Sequence, residues 1–321
     1  MKHWIEAARL RTLPLSVSGI IVGSFYALSV ATEEVLTPTQ VFSWSVFSLL
    51  LLTTIGLQIL SNFANDYGDG IKGTDNEDRI GPKRAIQSGV ISPKQMKRAI
   101  VITAVLTFLS AISLIYNAFH FKYFYYSILF LALGMMAIAS AIRYTVGKGA
   151  YGYKGYGDVF VFVFFGLVST FGSYFMFAKE FNWLLLLPSS AIGLLSVGVL
   201  NLNNMRDEWS DKKAGKNTIV VKIGGENAKK YHYVLVVLAM ILMLSFALIN
   251  DFRTDESFNF DQYFFVLTYI PLTRHLIRVY RNSEPKNLDP ELKKLAIQTF
   301  LLSVLLAQGL IYLFSDIVVN F

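Results

Sequence analysis

The chain contains no cysteine. That excludes a disulfide framework, a thiolate zinc site and a cysteine nucleophile. Histidine is scarce: His3, His120, His232 and His275 are scattered, and none forms a His-Glu-x-x-His pair. Any metal must therefore be held by oxygen, which favours magnesium or calcium over zinc. His232 and His275 read as interfacial residues with no metal role. Charge is scarce too. Only 16% of the 321 residues are charged, against roughly 25% in soluble domains. What is present is apolar: 54% hydrophobic, 15% aromatic, with a mean hydropathy of +0.48. A soluble protein of this composition would expose large sticky patches. The chain is read as an all-α integral membrane protein.

A spanning helix needs roughly 20 mostly apolar residues. Nine stretches qualify, at about 13–31, 44–63, 99–117, 123–142, 159–178, 183–203, 232–250, 263–280 and 296–319. Little remains between them, so residues 1–321 form a single polytopic membrane domain. The runs Leu184–Leu187 and Val159–Gly166 lack the two-residue alternation of a transmembrane β-strand. The first stretch is too long, and lacks a small-x-small exit, for a cleavable signal peptide. Pro188 and Pro271 fall inside spans and are expected to kink them.

The net charge of +7 is explained by topology, with no nucleic acid partner implied. With the N-terminus in the cytoplasm, nearly every Lys and Arg sorts to the inside, and only Lys122, Lys179 and Arg253 fall outside. An incorrect span count would scramble that sorting. Nine spans put the C-terminus outside.

Two inside segments carry unusual chemistry. The first, at the end of the second span, runs from Gln58 to Asp75. Helical spacing puts Asn62, Asp66 and Asp69 on one face, and Asn65 and Asp69 form a second i, i+4 pair. Clustered carboxylates near a membrane interface repel unless a cation intervenes. A solvated, turn-rich helix end is the alternative, which Gly68, Gly70 and Gly73 favour. The second segment, at the end of the sixth span, runs from Asn201 to Thr218 and includes Asn203, Asn204, Arg206, Asp207, Asp211 and Lys216. Asp207 and Asp211 are again spaced i, i+4. Four crossings separate the clusters, so both face the same side. This predicts two four-helix halves, about 10–145 and 155–282, related by an axis along the membrane normal, plus a ninth helix at about 296–319. Two facing acidic clusters make a site for two magnesium ions, and magnesium is usually shared with phosphate oxygens. Arg79, Lys83 and Arg84 follow the first cluster. Arg206, Lys213 and Lys216 border the second. Tyr144 and Lys148 lie between. Inside lysines and arginines also follow from charge sorting alone. The pattern reads as a magnesium-dependent diphosphate site open to the cytoplasm, and a diphosphate ester that reaches a membrane cavity is expected to be a lipid one.

These stretches resemble the UbiA superfamily of intramembrane aromatic prenyltransferases, within it the branch acting on 1,4-dihydroxy-2-naphthoate. The resemblance covers nearly the whole chain. It rests on Ala8-Arg9-Leu-Arg11-Thr12-Leu13-Pro14, on Asn65-Asp66-Tyr-Gly-Asp69-Gly-Ile-Lys-Gly-Thr-Asp75, and on Arg79-Ile-Gly-Pro82-Lys-Arg84-Ala-Ile-Gln87-Ser-Gly89. It continues in Tyr144-Thr-Val-Gly-Lys148, Tyr156-Gly157-Asp158 and Asn204-Met-Arg206-Asp207-x-x-x-Asp211-x-x-x-Gly215-Lys216-Asn217-Thr218. The superfamily usually spaces its first motif Asn-x-x-x-Asp-x-x-x-Asp. Here Asn65 and Asp69 fit, position 73 is glycine and Asp75 comes two residues late, so the third ligand is open between Asp75 and Asp66. The shifted form resembles the naphthoate branch.

The resemblance implies transfer of a polyprenyl group from an allylic polyprenyl diphosphate to 1,4-dihydroxy-2-naphthoate, with loss of CO2 and diphosphate, giving demethylmenaquinone for menaquinone biosynthesis. It implies Mg2+, as two ions, held by Asn62, Asn65, Asp66, Asp69 and Asp75 on one side and Asp207 and Asp211 on the other. It gives Asp66, Asp69, Asp207, Asp211, Lys148 and Tyr144 catalytic roles, and makes Arg84, Arg206, Lys216, Asn204 and Arg11 substrate-binding. Arg9 and Arg11 read either as contacts to the naphthoate carboxylate or as interfacial anchors. A bacterial cytoplasmic (inner) membrane location follows from the same resemblance, with the lipid bilayer as surroundings. Chain length of the prenyl donor and oligomeric state are not encoded in any pattern. Another acceptor such as 4-hydroxybenzoate is the nearest alternative. A cation-coupled transporter would place its acids at the bilayer midplane instead of at helix ends. The CDP-alcohol phosphotransferases share Asp66-Tyr-Gly-Asp69-Gly70 but need their second acidic pair close by.

Overall fold

Capping residues set where the helices begin. The structure, a computed structural model, describes residues 2–33, 42–77, 79–120, 122–253 and 260–319, without the side chains of Arg11, residues 31–33 and residues 312–319. A short α1 (Lys2–Ala8) leads into α2 (Leu13–Glu33), α3 (Trp44–Lys72), α4 (Pro93–Phe119), α5 (Phe124–Arg143), α6 (Gly157–Ala178) and α7 (Trp183–Arg206). Two short helices, α8 (Glu208–Lys213) and α9 (Ile219–Ile223), precede α10 (Gly225–Arg253), α11 (Tyr269–Arg281) and α12 (Leu288–Val319). The start of α4 shows the rule: Ser92 and Gln95 form a reciprocal capping box, with Pro93 at the first helical position. No strand occurs among the described residues.

Eight helices among the described residues are long and apolar enough to cross a membrane: α2 to α7, α10 and α12. The stretch expected at about 263–280 is helical but changes type, since Phe260–Thr268 is a 3-10 helix and α11 has only 13 residues. Pro271 is the third residue of α11, and Pro188 is the third residue of the α-helical run Leu186–Arg206. Each follows a 3-10 turn. In the first turn of an α-helix the backbone N–H has no intrahelical partner, so proline costs no hydrogen bond there. These prolines mark helix starts and not the kinks expected of them. Helix boundaries also move, α4 and α10 starting six and seven residues before the expected spans. α3 continues past residue 63 to Lys72, and α12 begins at Leu288 instead of 296.

α3 packs chiefly on α4, α7 on α10, and α2 between α6 and α12. Helices in lipid approach through small residues, because apolar burial does not drive them together. Gly19 and Gly23 give α2 such a face. A Cβ at Gly23 would stand 2.1 Å from the Thr170 carbonyl oxygen of α6. Ser173 donates to the Gly19 carbonyl at 3.3 Å across the same contact. Around the end of α3 the same device holds loops. A Cβ at Gly68 would meet the Thr145 carbonyl carbon at 2.7 Å. Thr145 Oγ1 donates to the Ala64 carbonyl at 2.9 Å, and Lys72 Nζ donates to the Thr145 carbonyl at 2.6 Å. On another face of α3, Leu60, Phe63 and Ala64 pack with Ala7, Ala8, Ala85 and Ile91. The segments on both sides of α3 are thus tied to it.

Gly23→Ala puts a methyl against backbone that cannot rotate away, so about 1–3 kcal/mol of stability is expected to be lost. Gly134→Ala is the matched control, since its nearest new neighbour lies 3.9 Å away. Thermal unfolding of both variants in one detergent checks this. Equal melting of Gly23→Ala and the parent protein would show that α2 and α6 do not need this contact.

Candidate active site

A cavity of about 340 Å³ lies between α2, α3, α4, α5, α6 and α7. It follows α3 from Leu50 to Asp69, about 28 Å of helix. Its far end is apolar, lined by Leu50, Leu114, Ile115, Phe130, Phe165 and Met176. Its near end is charged, lined by Asp69, Asp75, Asp207 and Asp211 together with Arg9, Arg79, Arg84 and Lys216. Residues Phe162–Val168 of α6 form a π-helical segment along this wall. Such segments recur at functional sites.

The first acidic group owes its shape to where α3 ends. Asn62, Asn65 and Asp69 lie one turn apart and all reach the cavity. Gly73 then adopts φ 71°, the left-handed conformation that closes the helix. The chain turns back and brings Asp75 to the cavity, although its spacing misses the helical repeat. In the second group, Asp207 sits at the break between α7 and α8 with φ −100° and ψ 11°. Asp211 follows one turn on, and its carbonyl accepts from the Lys216 N–H at 2.8 Å. The Thr218 side chain caps α9.

Two cations join the groups. Arg79 Nε is 2.9 Å from Asp75, and its Nη2 is 3.4 Å from Asp207. Lys216 Nζ is 3.5 Å from Asp211 and 3.8 Å from Asp69. Burial shifts several of these groups. Burial pushes the Asp211 carboxyl up to about 6 against the pull of Lys216. It also raises Asp75, which Arg79 and Arg84 only partly offset. At Asp207 burial acts upward as well, but hydrogen bonds and charge from Arg206 win and hold it below the usual range. Lys216 resists desolvation because Asp69 and Asp211 flank it, and stays above its ordinary value. Burial, then repulsion from Arg79, lowers Arg9 to about 10. Arg84 is lowered well below its ordinary value by burial and by Arg9 and Arg79.

Asn62, Asn65, Asp69, Asp75, Asp207, Asp211, Arg84, Lys216 and Tyr144 all line one cavity. Tyr144 has its hydroxyl pushed up to about 12 by burial. Four other candidates are placed elsewhere. Asp66 is buried off the cavity, where its carboxylate accepts from the Ala85 N–H at 3.1 Å and the Ile86 N–H at 3.3 Å. One residue along a helix is a 100° rotation, so Asp66 faces the loop that carries Arg79 and Arg84 while Asn65 faces inward. Lys148 is exposed and does not line the cavity, because the loop after α5 is pinned to α3 at Thr145. Asn204 is buried outside the lining, its Oδ1 without a partner. Arg206 is fully buried, spent on protein carboxylates. The side chain of Arg11 lies outside those described. Among the glycines at the end of α3, Gly68 and Gly70 serve close packing within the helix, and only Gly73 makes a turn.

Tyr153 was not among the candidates. Its hydroxyl donates to Asp69 Oδ1 at 2.7 Å and pairs with Thr74 Oγ1 at 2.6 Å. Lys72 Nζ stands 3.9 Å over its ring. The Asn217 N–H donates to the Tyr153 carbonyl at 3.0 Å, so this turn bridges both acidic segments. No spacing rule reaches a residue placed by loop docking. His232 and His275, expected at the interface, are fully buried. Their Nε2 atoms lie 2.9 Å apart, and His275 Nδ1 meets Glu291 at 2.7 Å. The pair does not line the cavity, and each ring is held by a neighbour that needs burial to be strong.

Among the described residues no three acidic or histidine side chains converge closely enough to hold an ion unaided. Arg79 and Lys216 stand between the carboxylates instead. The donor set still fits Mg2+. It is all oxygen, and Asp75 Oδ2 and Asp211 Oδ2 are buried without any hydrogen-bond partner. Mg2+ is usually bound by a few carboxylates together with substrate phosphates, not by a complete protein cage.

The profile described as the UbiA prenyltransferase family matches residues 24–305. A Haemophilus influenzae protein named 1,4-dihydroxy-2-naphthoate octaprenyltransferase is 41% identical over 97% of this chain and 96% of its own. The Escherichia coli protein of that name is 41% identical over 96% of this chain and 94% of its own. Among solved structures, a UbiA homologue from Archaeoglobus fulgidus bound to DMAPP and Mg2+ superposes with a TM-score of 0.65 at 16% identity. That match covers 96% of this chain and 97% of the other. With full-length relatives and a shared all-helical fold in agreement, this chain belongs to the UbiA prenyltransferase family.

Proposed function

We propose that this chain transfers a polyprenyl group from an allylic polyprenyl diphosphate to 1,4-dihydroxy-2-naphthoate, with release of CO2 and diphosphate. The observation that carries the reading is a single cavity with two unlike ends. Carboxylates and cations from both acidic segments meet at one end, and an apolar wall continues from it along α3. A prenyl diphosphate has the same division. The relatives' names supply the acceptor.

Asp69, Asp75, Asp207 and Asp211, with Asn62 and Asn65, would hold Mg2+. The bound metal supplies charge neutralisation for the departing diphosphate. Lys216, Arg79 and Arg84 point charge-assisted donors at the same group. Tyr144, with its hydroxyl kept protonated by burial, adds a neutral donor. The allylic C–O bond breaks and its electron pair leaves on the diphosphate. The ring carbon bearing the carboxylate attacks the allylic cation and a C–C bond forms. The bond to the carboxylate then breaks, CO2 departs, and its electron pair restores the aromatic ring. No proton has to be removed. The product of transfer is demethylmenaquinol, the reduced form of demethylmenaquinone. Phe130, Phe160, Phe164 and Phe165 along the wall exclude water from the cation and offer π faces to it.

The same reading includes nine crossings, two four-helix halves and a cytoplasmic site. Nine residues of 3-10 helix and thirteen of α-helix extend roughly 38 Å, and a bilayer core is about 30 Å thick. The segment from Phe260 to Arg281 is therefore long enough to cross. The sorting of lysine and arginine supports a cytoplasmic N-terminus and active site in a bacterial inner membrane.

A product assay tests the function. Purified protein receives 1,4-dihydroxy-2-naphthoate, an allylic polyprenyl diphosphate and Mg2+, and product is separated by chromatography. Product is expected, lost on chelation with EDTA and reduced on the order of 100-fold or more in Asp207→Asn. Turnover with 4-hydroxybenzoate alone would overturn the acceptor. No turnover with any aromatic acceptor would overturn the enzyme reading in favour of a transporter.

Asp66→Asn and Asp69→Asn separate the two roles on α3. Asp69→Asn is expected to lower kcat by a similar factor with Tm unchanged. Asp66→Asn weakens the hold on the Arg79–Arg84 loop, so Tm falls by the equivalent of about 1–3 kcal/mol along with activity. Equal melting of the two variants would show that Asp66 does not anchor that loop.

A further inference from the structure

Asp207 is gripped from the side away from the cavity. Arg206 Nε donates to its Oδ1 at 2.9 Å and Arg206 Nη2 to its Oδ2 at 2.5 Å, a two-pronged contact. The Arg206 side chain is 0% exposed and does not line the cavity, so no substrate reaches it. Two of its three remaining N–H donors are fixed as well. Nη2 donates to Asn203 Oδ1 at 2.9 Å, and Nη1 donates to Asp289 Oδ1 at 2.5 Å. Asp289 lies in the first turn of α12, far along the chain from either acidic motif. That turn is itself anchored, because Glu291 meets His275 at 2.7 Å, Arg278 at 3.0 Å and Lys294 at 2.6 Å.

We propose that Asp289 is a positioning residue for the prenyl transfer, acting through Arg206 to aim Asp207 into the cavity. This rests on the proposed function. The physical case is geometric. Asp207 sits at a helix break, where backbone geometry alone leaves its side chain free to rotate. A guanidinium held at one edge by Asp289 presents its other edge in one fixed plane, and the carboxylate follows it. Outer partners of this kind typically contribute 10–100-fold to metal affinity or activity.

The test is Mn2+ binding followed by electron paramagnetic resonance on the full-length protein with inorganic pyrophosphate present. Asp289→Asn is expected to weaken Mn2+ binding roughly 10-fold and to raise the Mg2+ concentration needed for half-maximal turnover by a similar factor. Asp289→Glu is expected to restore both. In an Asp207→Asn background, Asp289→Asn is expected to cause no further loss, because the group it acts on is already gone. Glu291→Gln, which loosens the same turn of α12 without touching Arg206, is expected to lower Tm while weakening Mn2+ binding less than Asp289→Asn does. Should Asp289→Asn not fold, Arg206→Lys carries the test, since it keeps the charge, loses the planar fork and is expected to weaken Mn2+ binding likewise. Unchanged affinity in Asp289→Asn or Arg206→Lys would overturn the inference, as would an equal loss with and without Asp207. Normal Mn2+ binding in a parent protein that makes no prenylated product would overturn the proposed function and leave the positioning of Asp207 standing.

Discussion

The structure depends on balancing like charges that have been taken out of water. Four carboxylates and four cations share the charged end of one cavity. A buried charge without a partner costs several kcal/mol, so each must be met by an opposite charge or by aimed donors. Arg79 and Lys216 provide that balance, and each joins a carboxylate of one acidic segment to a carboxylate of the other. The balance is incomplete by design of the donor set: Asp75 and Asp211 each keep one buried oxygen unpartnered. In the proposed function a metal–diphosphate complex is the complementary ligand, its cation directed to the free oxygens and its phosphates to the cations that line the same end.

Holding those charges in register requires loops that do not drift. Asp66 fixes the loop bearing Arg79 and Arg84, Gly68 lets Thr145 close on α3, and Tyr153 ties the following turn to Asp69. Functional groups on loops are precise only when a rigid element supports them. Here that element is α3, packed on α4 along its length. Beyond the charged end, the cavity becomes apolar without a break. That continuity lets one helix present ionic chemistry at its end and a dry wall along its body.

Much of this was legible in residue order. Hydropathy located the eight helices among the described residues that are long and apolar enough to cross a membrane, and the asparagine–aspartate clusters pointed to the cavity end. The placements that differ from expectation share one cause. Asp66, Lys148, Asn204 and Arg206 sit within the right motifs but are rotated or looped away from the cavity. Motif membership places a residue within a few ångströms of a site. Whether its side chain enters is set by a 100° step along a helix, or by which loop docks on which face. His232 and His275 failed differently, since polarity suggested an interface while a partner at each ring made burial possible. Pro188 and Pro271 failed because their effect depends on position within a helical turn, which hydropathy cannot resolve.

The sequence alone determined the membrane character, the oxygen-only ligand chemistry and the two acidic segments, because these are properties of composition and short-range spacing. Tertiary structure alone decided the rest. Asp75 reaches the cavity because Gly73 ends α3. Tyr153 touches Asp69, and Asp289 touches Arg206, across separations of more than 80 residues in each case. Contacts of that range depend on how helices pack and loops fold back. No local pattern encodes them, because the partners meet only after the apolar helices have assembled.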